Sequence, residues 1–365
     1  MNPHPLFCPN DACASRGIQG AGNIRVHDSL RQRWRCRTCK KTFRTTQGTI
    51  FHGKKYPPET MVIVLTLLSW GCPLQAIVAA FHIDERTLHT WRAQAGAHCE
   101  QLHDTCVTHQ TMDLRQVQAD EMYVKLQKRL VVWMAMALCI PTRLWLGGVI
   151  SGSRDKSMLQ QLATKVKSCA QCAPILLITD GFQGYVHAWQ NAFRDPKPTG
   201  KRGRPPLLAW PQVVIAQMVK QYRKGRVVGI DQRLLQGTLS QLMALLPEEC
   251  KISTAYIERL NATFRARCHG LVRRGRGLCK HPATLRSGMY LVGCLYNFCT
   301  PHTSLRTDVP RTPAMAAGLT DHCWSVRELL SYRFAPPPFV VKKRRGRRSK
   351  SEARLQEEGK QLVTG

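Results

Sequence analysis

Asp120, Asp180 and Glu258 stand where a carboxylate is either costly or well placed for chemistry. Asp120 lies in the middle of QVQADEMYVKL (116–126), whose alternation reads as a strand, and a charge there is expensive unless it is used. Asp180 follows directly on PILLIT (174–179), a buried-strand pattern, at the end where open sheets place their ligands. Glu258 belongs to STAYIERLNATFRAR (253–267), in which Ile257, Leu260 and Phe264 make an apolar helical stripe. Glu258, Asn261 and Arg265 keep the same spacing one position round, so the helix can pack by one face and present Glu258 beside it. Three carboxylates from two strands and a helix can hold two divalent ions about 3.5 to 4 Å apart, as phosphoryl transfer requires. Glu121 competes with Asp120, but neighbouring strand residues face opposite sides, so both are not expected on one ion. Each acid taken alone reads more simply as a solvated side chain.

A second group carries metal chemistry of another kind. Cys8 and Cys13 are separated by four residues, Cys36 and Cys39 by two, with 22 residues between the pairs. Such pairs turn two thiolates toward one ion, and four cysteines satisfy Zn²⁺ tetrahedrally in a segment too small to fold on apolar burial. A structural zinc ribbon over residues 1–52 is therefore expected, stiffening a surface rich in Arg31, Arg33, Arg35 and Arg37. Cys169 and Cys172 have no partner pair nearby, and the other ten of the 16 cysteines read as small core residues. His98, His103 and His109, irregularly spaced, read as solvated helix ends.

The elements that must position these groups follow from periodicity. A helix beginning at Glu59 repeats Met61, Val62, Leu65 and Leu68 and stops at Gly71-Cys72-Pro73. Two shorter helices follow, 73–81 and one capped by Asp84, forming a helix-turn-helix within a 56–110 domain. Its DNA-facing candidates are Arg86, His89 and Arg92, with Glu85; a three-helix linker is the competing reading. From 112 to 335 the pattern becomes strands 116–126, 130–140 and 144–150, a helix 155–170, and the strand 174–179, with another strand at 213–219. Three antiparallel strands, a helix and a buried strand parallel to the first is the order of an RNase-H-like α/β domain.

The chain has 365 residues, 54 Lys or Arg against 23 Asp or Glu, a net charge of +31, and enough apolar sequence (43%) for a full core. That balance points to a polyanion, nucleic acid before others, and disfavours a small packing protein. No Asp or Glu occurs from Arg259 to Thr307, a span with nine Lys or Arg suited to the DNA backbone. The opening MNPHPLFCPNDACASRG shows no signal-peptide pattern, and Pro141-Thr142-Arg143 splits the longest apolar run. A reducing, cytoplasmic, nucleoid-associated setting without membrane contact is expected.

Taken in order, these blocks resemble a bacterial insertion-sequence transposase of the DDE type. QADEMYVK, LLITDGFQGY and AYIERLNATFR resemble its three catalytic blocks, and YNFCTPHTSLR with RTPAMAAGL its C-terminal signature, over roughly residues 5–332. The resemblance implies that Asp120, Asp180 and Glu258 bind Mg²⁺ (two ions, or Mn²⁺), with Asn261, Asn297 and His302 behind them. It implies strand cleavage and strand transfer on double-stranded DNA, at the element's terminal repeats and a target, by at least a dimer. The separations, 60 and 78 residues, imply an insertion at about 195–250. Within it PTGKRGRPP resembles an AT-hook, with Arg202 and Arg204 extended into a minor groove; a solvated basic loop fits equally. Arg265, Arg273 and Arg274 read as phosphate contacts, and the 336–365 tail, seven of nine basic over 342–350, as a disordered arm. A catalytically inactive DNA-binding relic or repressor of the element, and an RNase-H-like nuclease acting on RNA, are the alternatives.

Overall fold

The computed structural model describes residues 6–200, 202–246, 252–271 and 279–336. They form two compact units, one from residues up to Gly48 together with those from Arg333 onward, the other Thr49–Tyr332. Arg273, Arg274, Cys250 and the basic run 342–350 lie outside the described residues.

The first unit is a three-stranded antiparallel sheet of β1 (Ile24–Asp28), β2 (Arg33–Cys36) and β3 (Thr42–Arg44). Its apolar content is slight, with Phe7, Phe43 and the cysteines among its few buried residues. Arg333 completes it from the far end of the chain. This guanidinium is 5% exposed and donates to the backbone oxygens of Gln47, at 3.3 Å, and Thr45.

The second unit opens with α1 (Pro58–Ser69), α2 (Leu74–Phe81) and α3 (Glu85–His103), whose starts follow from local chemistry. Pro58 occupies the first turn of α1, where its missing N–H costs nothing. His82 in the left-handed region ends α2, and the Asp84 side chain accepts from the Arg86 N–H at 2.9 Å to begin α3. Only three residues separate α2 from α3, as expected. Their sequel differs: α3 is 19 residues long and continues as a π-helical turn through Thr108. Its second half packs along α8 (given below) so closely that a Cβ on Gly96 would come within 2.4 Å of Ser287. The boundary expected near residue 111 therefore falls inside one compact unit.

Then come β4 (Gln116–Lys125), β5 (Val131–Cys139), β6 (Trp145–Ser151), α4 (Lys156–Cys169), β7 (Ile175–Asp180) and α5 (Gly184–Ala192). β8 (Arg194–Pro196) and β9 (Leu207–Ala209) form a small hairpin. β10 (Val213–Arg223) and β11 (Arg226–Gln236) precede α6 (Leu239–Leu245), α7 (Ala255–Arg267), α8 (Pro282–Cys294) and two short helices, α9 (Pro313–Ala316) and α10 (Val326–Leu330). The main sheet is mixed, with strand order β11-β10-β7-β4-β5-β6; β7 is parallel to β4 and β10, the other pairs antiparallel. An α/β architecture is thus present as expected. The stretch 195–250, expected as an insertion, supplies β10 and β11 to this sheet, and β10 runs four residues beyond the expected end.

Alternate residues of β4 look to different layers. Gln116, Gln118 and Asp120 face the side of α6 and α7, whereas Glu121 meets Arg154 and Tyr185 beside α4 and α5. On the α6 side, Ile140, Leu176, Ile178, Val214, Ala216 and Met218 pack on Leu242 and Leu245. Gln118, 1% exposed, donates to the Ser253 oxygen and accepts from the Ile257 N–H at 2.8 Å, so α7 begins at a fixed point on β4.

Two of the three histidines expected at solvated helix ends are instead interior, whereas His109 is exposed at the end of the π-helical turn as expected. His98 is 8% exposed and bonds to the Leu329 oxygen at 3.0 Å; His103 is fully buried against Trp145 and Tyr290, with Nδ1 3.2 Å from the Thr108 hydroxyl. The long α3 buries them because, instead of ending early, it packs along α8 and meets α10. Cysteine placement also departs from a uniform core role: Cys99, Cys139, Cys268, Cys279 and Cys294 are buried, Cys72, Cys106 and Cys299 half-buried, and Cys323 exposed. Among the described residues no helix is long and apolar enough to cross a membrane.

Two outcomes follow from these buried polar groups. Burial, then Lys165, holds His103 down at about 3, against an ordinary 6.5, so protons favour the unfolded chain below pH 6.5. His103 stability is complete above 6.5 and lost as pH falls toward 3. Urea unfolding at pH 7.5 and pH 5 is expected to show a loss about 2 kcal/mol smaller in His103→Gln than in wild type. Gln118→Leu strands the Ser253 oxygen and Ile257 N–H, and is expected to cost on the order of 2 to 4 kcal/mol in the same assay.

Candidate functional site

The four cysteines of the first unit converge. β1 and β2 pair so that Cys36 faces Ile24, and the backbone turn from Asn10 to Arg16 brings Cys8 and Cys13 alongside. Their sulfurs all lie within 4.8 Å of one another; Cys8 and Cys39 are 3.6 Å apart, Cys13 and Cys36 3.9 Å. Four thiolates at about 2.3 Å from a tetrahedral zinc stand about 3.8 Å apart, so the donor set and spacing fit that ion. Burial pushes the thiols of Cys8 and Cys13 up, while at Cys39 the Lys41 N–H and the Asn10 side chain outweigh burial and bring it to about 7. The Asn23 amide donates to Cys36 Sγ at 3.4 Å. Such a pocket charges fully only with a compensating cation, and the cluster could bind zinc. Cys169, by contrast, donates to the oxygens of Val166 and Lys165 within α4, and Cys172 is exposed.

In the second unit, parallel pairing of β4 with β7 brings Asp120 and Asp180 toward the same end of the sheet. Asp120, Glu121 and Asp180 offer carboxylate oxygens within 4.8 Å of one another. This corrects the expectation that Glu121 would be kept away from an ion shared with Asp120. Their surroundings do belong to opposite layers: Asn261 on α7 donates to Asp120 Oδ2 at 2.7 Å, and Arg154 pairs with Glu121. The carboxylates nevertheless meet, and a strand-alternation argument is blind to how far side chains reach.

Glu121 is more enclosed than Asp180, its side chain 2% exposed against 43%, and its Oε2 is buried with no hydrogen-bond partner. Burial, then Glu121 and Asp180 close by, push Asp120 up to about 6, against the pull of the Glu121 N–H. Burial also raises Glu121, despite the buried Tyr185 hydroxyl beside it and the Arg154 guanidinium. Hard oxygen donors that crowd in this way, with one oxygen left orphaned, suit Mg²⁺ or Mn²⁺.

Glu258 enters the same cleft from α7 without joining that trio. The cleft, about 450 Å³, is lined by Asp120, Asp180, Glu258, Thr254, Lys220 and Arg154, with Gly181, Phe182, Met218 and Val219. Glu258 accepts from Lys220 at 2.6 Å and from Thr254 at 2.8 Å; partial burial opposes its charge, but these two donors outweigh burial and hold it below the ordinary carboxylate range. Arg154 lies over Phe182 at 3.9 Å and reaches Asp180 at 3.9 Å. Three acidic positions thus face two cations. Lys220 and Arg154 escaped the sequence reading because neither belongs to a motif of its own; β10 pairing with β7 is what brings Lys220 in.

Other expected residues lie elsewhere. Asn261, 1% exposed, sits behind Asp120 as implied, but Asn297 is buried and clamps Trp145 by two bonds of 2.9 Å, and His302 packs on Tyr296. Neither lines the acidic cleft: Asn297, just past the end of α8, is held at the start of β6. Arg265 shares the Glu258 edge of α7. Arg86 and His89 are exposed, but His89 and half-buried Arg92 line a groove of about 500 Å³ with Lys280 and His281, so this face of α3 is walled on one side. Arg202 and Arg204 are exposed at the tip of the β8–β9 hairpin, with Gly203 at φ 120°, a bend and not the extended form expected.

No family model matches the chain, and no curated protein is similar to it in sequence.

Cys36→Ser is expected to lower bound zinc from about one equivalent to near none in purified protein, read by elemental analysis, with loss of thermal stability in the first unit.

Proposed function

We propose that this protein is a DDE-type DNA transposase, with an RNase-H-like catalytic unit, an N-terminal zinc ribbon and a helix-turn-helix at α2–α3. The observation that carries the reading is the convergence of Asp120 on β4, Asp180 at the end of its parallel neighbour β7, and Glu258 on α7 in one cleft with Lys220 and Arg154. The sheet order, with an antiparallel β4–β5–β6 meander followed by the parallel strands β7 and β10, supports the RNase-H-like assignment.

Asp120 and Asp180, with Glu121 or Glu258, would hold the divalent ions. Bound there, such ions supply Lewis-acid polarisation of the phosphodiester and an attacking oxygen of lowered pKa. The chain's own residues prepare that site. Asn261 fixes one Asp120 oxygen, leaving the carboxylate a defined direction. Thr254 orients Glu258, and Lys220 and Arg154 place positive charge where a phosphate diester would enter. Hydrolysis and attack by a freed 3′-hydroxyl are both in-line displacements at phosphorus, so one cleft serves both. A net charge of +31 draws the chain to DNA, and joining two element ends requires at least two copies.

The test is cleavage of labelled duplexes taken from the DNA flanking the coding sequence, with Mg²⁺ or chelator. Wild type is expected to cut and leave a 3′-hydroxyl that joins a second duplex; Asp180→Ala is expected to lose at least about 10³-fold in rate with duplex binding retained. Cleavage that survives in Asp120→Ala, Asp180→Ala and Glu258→Ala alike sinks the reading.

A further inference from the structure

α7 has two charged edges. At 3.6 residues per turn, Glu258 and Arg265 flank the buried stripe of Ile257, Leu260, Asn261 and Phe264 on one side; Tyr256, Arg259 and Arg267 flank it on the other. The second edge plays no part in the acidic cleft, yet it is built. Arg143, from the turn between β5 and β6, lies over the Tyr256 ring, 3.7 Å from its centroid. Arg267 stacks at 3.9 Å on Trp70, the residue that closes α1, and is 3.3 Å from the Thr300 hydroxyl.

These guanidiniums are held by aromatic faces and not by acids. Among the described residues no ion pair involves Arg143, Arg259 or Arg267. Burial lowers Arg267, the cost of half-burying a cation that has no carboxylate beside it. His302 stands among them, its ring 4.5 Å from Tyr296 and its Nε2 buried without a hydrogen-bond partner. Burial, and after it Arg267, Arg143 and Arg259, hold His302 down at about 4, so the imidazole is neutral and adds no charge beside them.

An anion is what such a surface lacks. Stacked guanidiniums present their outer N–H groups as a fixed fork, the geometry that matches phosphate oxygens. Arg259 and Arg267 are eight residues apart, about 12 Å along the helix, more than one phosphate spans. A repeating polyanion fits and a mononucleotide or free phosphate does not. We propose that Arg143, Arg259 and Arg267 form a track for the phosphodiester backbone of duplex DNA on the flank of α7 opposite Glu258. This rests on the DNA-processing function above and adds a second contact to it. One rigid helix then carries both the acid at the reacting phosphate and the cations on the backbone beside it, and so indexes the duplex against the cleft.

The test is binding of a labelled duplex of arbitrary sequence over a series of KCl concentrations. Replacing all three arginines by Gln is expected to lower the slope of log affinity against log salt by about 3, at roughly 0.9 per phosphate contact. Arg259→Gln alone, at an exposed position with little risk to folding, is expected to lower it by about 1. The three Arg→Lys replacements together restore the slope. Wild-type slopes in both Gln variants overturn the track while leaving the transposase reading standing. A slope that falls only on an RNA duplex of the same sequence overturns the choice of DNA. No duplex binding by wild type overturns the track and the reading beneath it together.

Discussion

Gln118 is an amide buried to 1% exposure in the middle of a sheet, and such a group is tolerated only when both its ends are bonded. Its partners are the Ser253 oxygen and the Ile257 N–H, which are the entry to α7. The register of α7 on β4 is therefore fixed at that point, and everything the helix carries is fixed with it. Asn261, one turn beyond Ile257, reaches Asp120; Glu258, next to Ile257, is delivered to Lys220 and Thr254. A helix rotated by one residue would bury Glu258 and expose Leu260. The cleft is in this sense a consequence of a neutral hydrogen-bond pair and not of its own charges, which by themselves repel.

The two candidate metal clusters solve opposite problems. The first unit has little apolar surface to bury, so cross-linking by an ion would substitute for a core, and the sulfurs stand at spacings that suit one. In the second unit a full core already exists, and it holds acids where burial first, and then one another, disfavour their charge: Asp120 is pushed up to about 6. A cation would stabilise the first fold and would offset the mutual repulsion of the acids in the second. Arg154 and Lys220 partly meet the latter need from the chain itself.

Much of this was legible in the residues. Alternation and apolar runs marked β4 to β7 because those strands are buried on one face or both; the Asp84 cap marked the start of α3, and apolar spacing marked α4. The cysteine spacing was specific because two loops must each aim two sulfurs at one point. β11 was not legible. As an edge strand, RVVGIDQRLLQ is exposed along most of its length and carries no burial pattern. The length of α3 and the interior place of His98 and His103 were hidden for a related reason. What buries them is α8 and, at His98, α10, 195 and 231 residues on in contacts such as Cys294 with the Cys99 oxygen and His98 with the Leu329 oxygen, and local periodicity holds no record of partners so distant. Likewise Glu121 could be assigned a face from alternation, but not a distance.

The first unit is assembled from both ends of the described chain. Thr45 and Gln47 offer backbone oxygens to a guanidinium 288 and 286 residues later. During synthesis those oxygens wait, solvated, while the whole sheet domain between them is made, and only afterwards does Arg333 arrive to be buried against them. The cysteine cluster needs no such delay, since all four sulfurs lie within the first 39 residues. Ion capture and completion of the unit are thus separate events in time, one early and local, the other gated by translation of nearly everything else.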